Sequence, residues 1–232
     1  MSKFIRAVTA ILITIMIMIG ATGCMQSKNN KIDKNVMISY MEKKYNDEFT
    51  YIDSFGGSYD GTSYQILVSS KKLPNVQIAV GYYLVDGIEY YTDNYMQYKY
   101  LEQTRNHLVS LFEDAIGYDV HVTYGVSSTG IKNSFNDSTS FEEFIKSSDN
   151  RLLFNIVVSP ECDVINTKEI IASHLKKAIG EDLITCVTDI YFADSQDNFK
   201  AFEDLTSSEL AAMTKLSIVM DGKSSFSKFE WR

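Results

Sequence analysis

The sequence predicts an α+β fold, on three observations. Apolar residues recur at helical spacing up to Tyr45. The stretch after it alternates with a period of two and carries a tight-turn dipeptide. The second half switches between apolar runs and capped helical segments. The expected architecture is an antiparallel β-meander with helices in the first half. An alternating strand/helix half follows, ending in a β-hairpin, with the helices packed on the sheet.

The first helix is predicted over Lys34 to Tyr45, with Asp33 as its cap and Val36, Met37, Tyr40, Met41 and Tyr45 at helical spacing. "FTYIDSF" alternates through Phe49, Tyr51 and Phe55, and "GGSYDGTS" reads as a turn. Two more strands follow, "YQILVSS" and "VQIAVGYYLV", the second with Val76, Ile78, Val80, Tyr82 and Leu84 on one face. Asp86–Gly87 between Val85 and Ile88 is a two-residue hairpin signal. A long helix is expected from Asn94 to Ile116, with Tyr98, Leu101, Leu108, Leu111 and Phe112 as its buried stripe and Gly117 as its stop.

"YDVHVTYGV" alternates, with Tyr118, Val120, Val122 and Tyr124 on one face. The Ser/Thr/Asn-rich stretch Ser127 to Ser138 is expected to be a subdomain boundary or a mobile surface loop. Thr139 with Glu142 spells a capping box. "RLLFNIVVS" is a continuous apolar run, expected to be covered on both faces. Asn166 with Glu169 opens a helix through Ile170, Ile171, Leu175 and Ile179, stopped by Gly180. "LITCVTDIYF" is another strand, and short helices near Asp197–Phe202 and Ser207–Met213 lead to the hairpin "KLSIVM" and "FSKFEW".

The N-terminus has a different logic. Lys3 and Arg6 precede an uncharged stretch from Ala7 to Gly23, the pattern of a secretory signal peptide. Its strongly apolar part, Ala7 to Ile19, is shorter than the about 20 residues a spanning helix needs. Ala21, Thr22 and Gly23 stand directly before Cys24, an arrangement that resembles the lipobox of bacterial lipoproteins. The usual leucine three places before the cysteine is Ala21 here. The resemblance implies that the Cys24 sulfur carries a diacylglyceryl group and that the chain is cut just before it. A second resemblance lies in "YMEKKYNDEFTYIDSFGGSYDG", Tyr40 to Gly61. It is similar to the start of the mature part in small surface lipoproteins of low-GC Gram-positive bacteria and implies no activity or site.

The chain therefore divides into a signal peptide (1–23), a lipidated cysteine and polar tether (24–32), an α+β half (33–126) and a more α/β-like half (139–232), the two halves sharing one domain or forming two. Losing Lys3 and Arg6 takes the formal charge from −8 to −10. Such an acidic surface excludes nucleic acid as a natural partner, because phosphate needs a basic face. The expected partners are the membrane, through the lipid, and a protein or glycan ligand. No cofactor is expected.

No local motif spells catalysis. Gly-Lys-Ser at Gly222–Ser224 lacks the earlier glycine of a phosphate-binding loop, since Ser217 stands there. Ser69–Lys72 and Ser173–Lys176 have Ser-x-x-Lys spacing without partner motifs. His107, His121 and His174 are scattered; His121 is expected on a solvated face and His174 in the core. Asp194 to Asn198 offers oxygen ligands at no EF-hand spacing, and Ser195 reads as a helix cap. Cys162 and Cys186 are expected as buried free thiols, with one disulfide between them, permitted outside the cytoplasm, or a Cys₂His site with His174 as the alternatives.

The unusual stretch is "GYYLVDGIEYYTDNYMQYKY", with seven tyrosines in twenty residues. Tyrosine supplies rigid amphipathic contact area and is enriched in recognition surfaces. Tyr82, Tyr83, Tyr90, Tyr91 and Tyr95 are the candidate ligand or partner surface, with core packing as the competing role. The functional expectation is a membrane-anchored, non-catalytic binding or interaction module. An envelope enzyme without a local motif and an accessory subunit of a membrane complex are the alternatives.

Overall fold

A computed structural model describes residues 33–183, 185–205, 207–221 and 226–232. Cys24 and the Gly222–Ser224 stretch lie outside the described residues. The fold is α+β, built on two sheets rather than one.

Helix α1, Lys34–Tyr45, begins where expected, with the Asp33 carboxylate accepting from the Asn35 amide at 2.9 Å. It leads into a four-stranded meander of β1 (Phe49–Gly57), β2 (Ser63–Ser70), β3 (Ile78–Val85) and β4 (Ile88–Asp93), in sheet order β1-β2-β3-β4 and antiparallel throughout. Asp86 and Gly87 both take positive φ, 52° and 78°, which the two-residue turn joining β3 to β4 requires. Strand β1 is bulged twice, so Phe49 faces the core while Phe55 turns outward. The inner face packs Ile66, Val68, Ile78 and Val80 against Met37, Met41 and Tyr45 of α1.

The long helix expected over 94–116 is broken at Tyr100. Helix α2, Tyr95–Lys99, and helix α3, Leu101–Ile116, flank a residue with φ −108° and ψ 16°. Tertiary contacts hold the break: the Tyr100 hydroxyl donates to the Thr139 carbonyl at 2.6 Å, and its ring packs against Phe141 and Phe144. Gly117, with φ 80°, ends α3 as expected.

The second sheet runs β5 (Val120–Gly125), β6 (Leu152–Val158), β7 (Thr185–Phe192), β8 (Thr214–Asp221) and β9 (Phe226–Trp231), in that order. Helix α5, Val164–Asp182, makes the crossover between β6 and β7, the one parallel pair. Helices α3 and α5 pack together on one face of this sheet, over Val122, Phe154, Ile156, Ile190 and Ile218. On the other face, helix α6 (Gln196–Lys200), a 3₁₀ turn (Phe202–Asp204) and helix α7 (Ser207–Ala212) cover only part, through Phe199, Phe202 and Met213 against Val157 and Tyr191.

Several expectations shift. The capping box is formed by Ser140 and Glu143, one residue later than Thr139 and Glu142, because helix α4 occupies Phe141–Ile145. Helix α5 starts two residues before Asn166, capped by Asp163, and runs through Gly180; Ile170 lies exposed. Strand β6 is covered on both faces only toward its end: Val157 is buried, whereas Leu153 and Asn155 are exposed. His174 is exposed, its Nδ1 3.2 Å from the Ala115 carbonyl oxygen. Cys162 and Cys186 are buried free thiols, and burial pushes the Cys186 thiol up to about 12.

The stretch from Ser127 to Ser138 is fastened onto the first half. Lys44 Nζ donates to Asn133 Oδ1 at 2.7 Å, the Lys72 ammonium reaches Asp137 at 3.1 Å, and the Gln97 side chain accepts from the Ser127 amide at 3.0 Å. Phe135 is buried in the meander's core. Helix α4 then acts as a wedge: Phe144 enters the core under the meander, and the next residue, Ile145, enters the core of the second sheet.

Candidate functional site

The tyrosine-rich stretch does not form one surface. Residues of β3 and β4 alternate between faces, so the register pairs Tyr82 with Tyr91 and Tyr83 with Tyr90 on opposite sides. Tyr82 is 6% exposed and meets Tyr91 edge-on, while Tyr91 stacks on Tyr40 with ring centroids 4.3 Å apart. Tyr95, 1% exposed, stacks on Tyr45 at 4.1 Å and sends its hydroxyl to Asp47 at 3.3 Å. These three rings belong to the core side.

Tyr83 and Tyr90 lie on the outer face, half-buried. The Tyr83 hydroxyl accepts from Gln65 Nε2 at 2.6 Å, and its ring lies across Gly81, where a Cβ would meet Tyr83 Cε2 at 2.9 Å. Lys132 sits 4.0 Å above the Tyr90 ring.

The polar centre under this hairpin is Asp93. Its carboxylate is fully buried, ion-paired to Lys44 at 2.7 Å and bonded by the Tyr45 hydroxyl at 2.7 Å. Burial, then the Asp93 charge, pushes the Tyr45 hydroxyl far above its usual range. Because every polar group here has its partner and no carboxylate oxygen reaches solvent, the cluster reads as structural.

The stronger candidate is the uncovered face of the second sheet. Its strands place core residues at even positions of β5, β6, β8 and of β7 alike, such as Val122, Phe154, Ile190 and Ile218. The residues between them point the other way. Register aligns four of these into a row across four strands: Thr123 opposite Asn155, Asn155 opposite Asp189, Asp189 opposite Ser217. Three adjoining hollows run along this row. One of 410 Å³ is lined by Thr123, Asn155 and Asp189, and one of 380 Å³ shares Thr123 and Asn155. The third, of 460 Å³, shares Arg105, Phe202 and Glu203 with the second and reaches His121. Together they form a groove walled by the partial cover of α6 and the 3₁₀ turn.

One end of the groove is set by Asp189. Ser217 Oγ donates to its carboxylate at 2.5 Å and Lys215 Nζ at 3.0 Å. Burial pushes that carboxyl up, but the bonds from Ser217 and Lys215 outweigh it and hold it below the usual carboxylate range. At the other end His121 is exposed and stacks on Phe199 at 4.3 Å, near Arg105 and Glu203. The groove thus presents hydroxyls, an amide, a carboxylate and a guanidinium over aromatic walls. It has no activated nucleophile: the Ser217 proton is directed at an ionised carboxylate, too weak a base for the task. Among the described residues, no group of three or more His, Cys, Asp or Glu is placed to hold a metal ion.

The sequence contained a signal for this row that the apolar run in β6 obscured. Asn155 and Asp189 are polar positions inside otherwise apolar strands, but only the register shows that they are neighbours.

No protein-family model matches the chain, and no curated protein matches it. Among solved structures, a DUF5037 family protein from Ruminococcus gnavus is 15% identical, with a TM-score of 0.42 over 83% of this chain and 93% of that one.

Proposed function

We propose that the protein is an extracytoplasmic binding module held to the membrane through a lipid on Cys24, and that its ligand lies in the groove on the open face of the second sheet. The observation that carries the binding reading is the in-register row Thr123, Asn155 and Asp189, lining a continuous groove beside Arg105 and His121, with buried Ser217 holding the Asp189 carboxylate from behind. Sites of this kind are concave, with a few placed polar groups that fix orientation. The anchor reading rests on the Ala21-Thr22-Gly23-Cys24 pattern and the short apolar segment before it. No helix among the described residues is long and apolar enough to cross a membrane.

The groove's chemistry suits a ligand that carries several hydroxyl or amide groups along an extended backbone. Such groups occur on envelope oligosaccharides and on extended peptides. The test is a binding titration of each pool against the native chain, Asn155→Ala and Thr123→Ala. Asn155 is exposed, so its replacement leaves the core intact. Binding to one pool that weakens in both variants supports the reading and identifies the source. Binding that survives both, yet is lost in Tyr90→Ala, transfers the site to the outer face of the meander, where Lys132 over Tyr90 is the competing observation.

A further inference from the structure

We infer that the turn end of the four-stranded meander is a membrane-contacting face, and that the occupant of its exposed apolar patch is the lipid surface that holds the anchor. The inference rests on the Cys24 reading for the direction of the tether. It rests on the fold for everything else.

The meander has two turns at one end, Ser58–Thr62 between β1 and β2 and Asp86–Gly87 between β3 and β4. The Leu84 amide donates to the Thr62 carbonyl at 2.7 Å, which holds the two turns together. Five of the ten exposed large apolar side chains among the described residues lie at this end: Phe55, Tyr59, Leu84, Val85 and Ile88. Val85 and Ile88, opposite one another beside the turn, are 53% and 56% exposed, and Tyr59 is wholly exposed. Apolar side chains concentrated at loop tips cover nothing in the protein itself.

The chain enters at this same end. Helix α1 runs back against β1 after a three-residue link, and its contacts fix its direction. Tyr45, at its C-terminus, stacks on Tyr95 beyond the end of β4, whereas Tyr40 stacks on Tyr91, nearer the start of that strand. Between Tyr45 and Tyr40 the helix therefore advances in the direction of the turns, and its first residue, Lys34, lies on the β1 side with its ammonium 4.0 Å from the Tyr51 ring. Residues 24–32 precede Asp33, and a chain extends at most about 3.3–3.6 Å per residue. A lipid on Cys24 thus holds the start of α1 within about 30 Å of the bilayer surface, and the patch, exposed at the end toward which α1 points, is the surface we infer to face it.

The charges at this end define the kind of contact. Asp60, Asp86 and Glu89 flank the apolar residues and outnumber Lys132, the cation over the Tyr90 ring. The Asp60 carboxyl is held down to about 2 by hydrogen bonds from Ser58 and Thr62, so it stays ionised. Such a tip gains nothing from anionic headgroups. Its contact is apolar, with Tyr59 at the headgroup level where tyrosine is enriched. Leu84, Val85 and Ile88 reach the acyl boundary, a depth of about 5–10 Å in interfacial elements.

The experiment uses the full chain purified from a Gram-positive host and reconstituted in phosphatidylcholine vesicles with brominated acyl chains. The variant Val85→Trp, made in a Trp231→Phe background, places an emitter at the tip; Ile88→Trp is the second reporter. Native Trp231, packed against Phe192 in the other sheet, is the reference. The inference expects loss of tip emission in brominated relative to plain vesicles, no loss for Trp231, and no dependence on added anionic lipid. Intact mass read on the same sample separates the two readings. A diacylated chain whose tip is not quenched, or whose Trp231 is quenched instead, overturns the membrane face and leaves the anchor. An unacylated chain whose tip is quenched overturns the anchor alone. An unacylated chain without quenching overturns both.

Discussion

Asp93 shows how much of this fold depends on single side chains. Its buried carboxylate gathers Lys44 and Tyr45 from α1, and the Tyr95 amide at 3.2 Å. Removing one partner of a buried pair leaves an uncompensated charge, at a cost of about 3–5 kcal/mol. Asp93→Ala is therefore expected to lose about that much stability in urea unfolding. Tyr45 adds a pH dependence. Burial and Asp93 raise its pKa in the fold, so the folded form keeps its proton where the unfolded chain gives it up. The associated stability is complete below about pH 10, the ordinary tyrosine value, and is lost as pH rises above it. Tyr45→Phe should flatten the alkaline limb of a stability–pH profile, and an unchanged slope contradicts this assignment.

Local signals located most elements, and tertiary contacts account for the differences. The Asp33 cap, the Asp86–Gly87 turn and the Gly117 stop are local, and each was legible. The break at Tyr100 was not, because its hydroxyl finds Thr139 and its ring finds Phe141, residues about forty positions away. Gly180 failed as a stop because α5 continues to Asp182 before Leu183 turns extended. The loop 127–138 has the composition of a linker, yet hydrogen bonds made by its backbone and by Asn133 clamp it to α1, α2 and the base of β4. Gly130 is the tightest point. It takes φ 73°, and a Cβ there would come within 2.8 Å of the Asp93 Cα, beside the paired backbone of Asp93 and Ile131. Gly130→Ala meets both a disfavoured φ and a backbone clash, so it is expected to destabilise by more than about 1 kcal/mol in thermal or chemical melts. Gly87→Ala, with open space around its Cβ, should cost less.

At the scale of the whole molecule, two sheets locked by α4 and the loop before it give the chain distinct faces. Alternation in the sequence correctly separated inner from outer residues in β3 and β5, but could not tell which outer faces stay open. Tyr82, Tyr91 and Tyr95 went to the core side, Tyr83 and Tyr90 to the outside, and the groove residues fell in strands whose apolar neighbours masked them. On the proposed reading these faces share one geometry: an anchored chain would turn its hairpin tips to the bilayer and offer a groove on its second sheet. The attachment of these faces to a membrane surface depends on the anchor. The most direct measurement is the intact mass and membrane partition of the protein from a Gram-positive host, beside Cys24→Ala. The account predicts a mature chain that begins at a diacylated Cys24 and sediments with membranes, with the alanine variant uncleaved or shed. An unmodified chain that still carries residues 1–23 would contradict it.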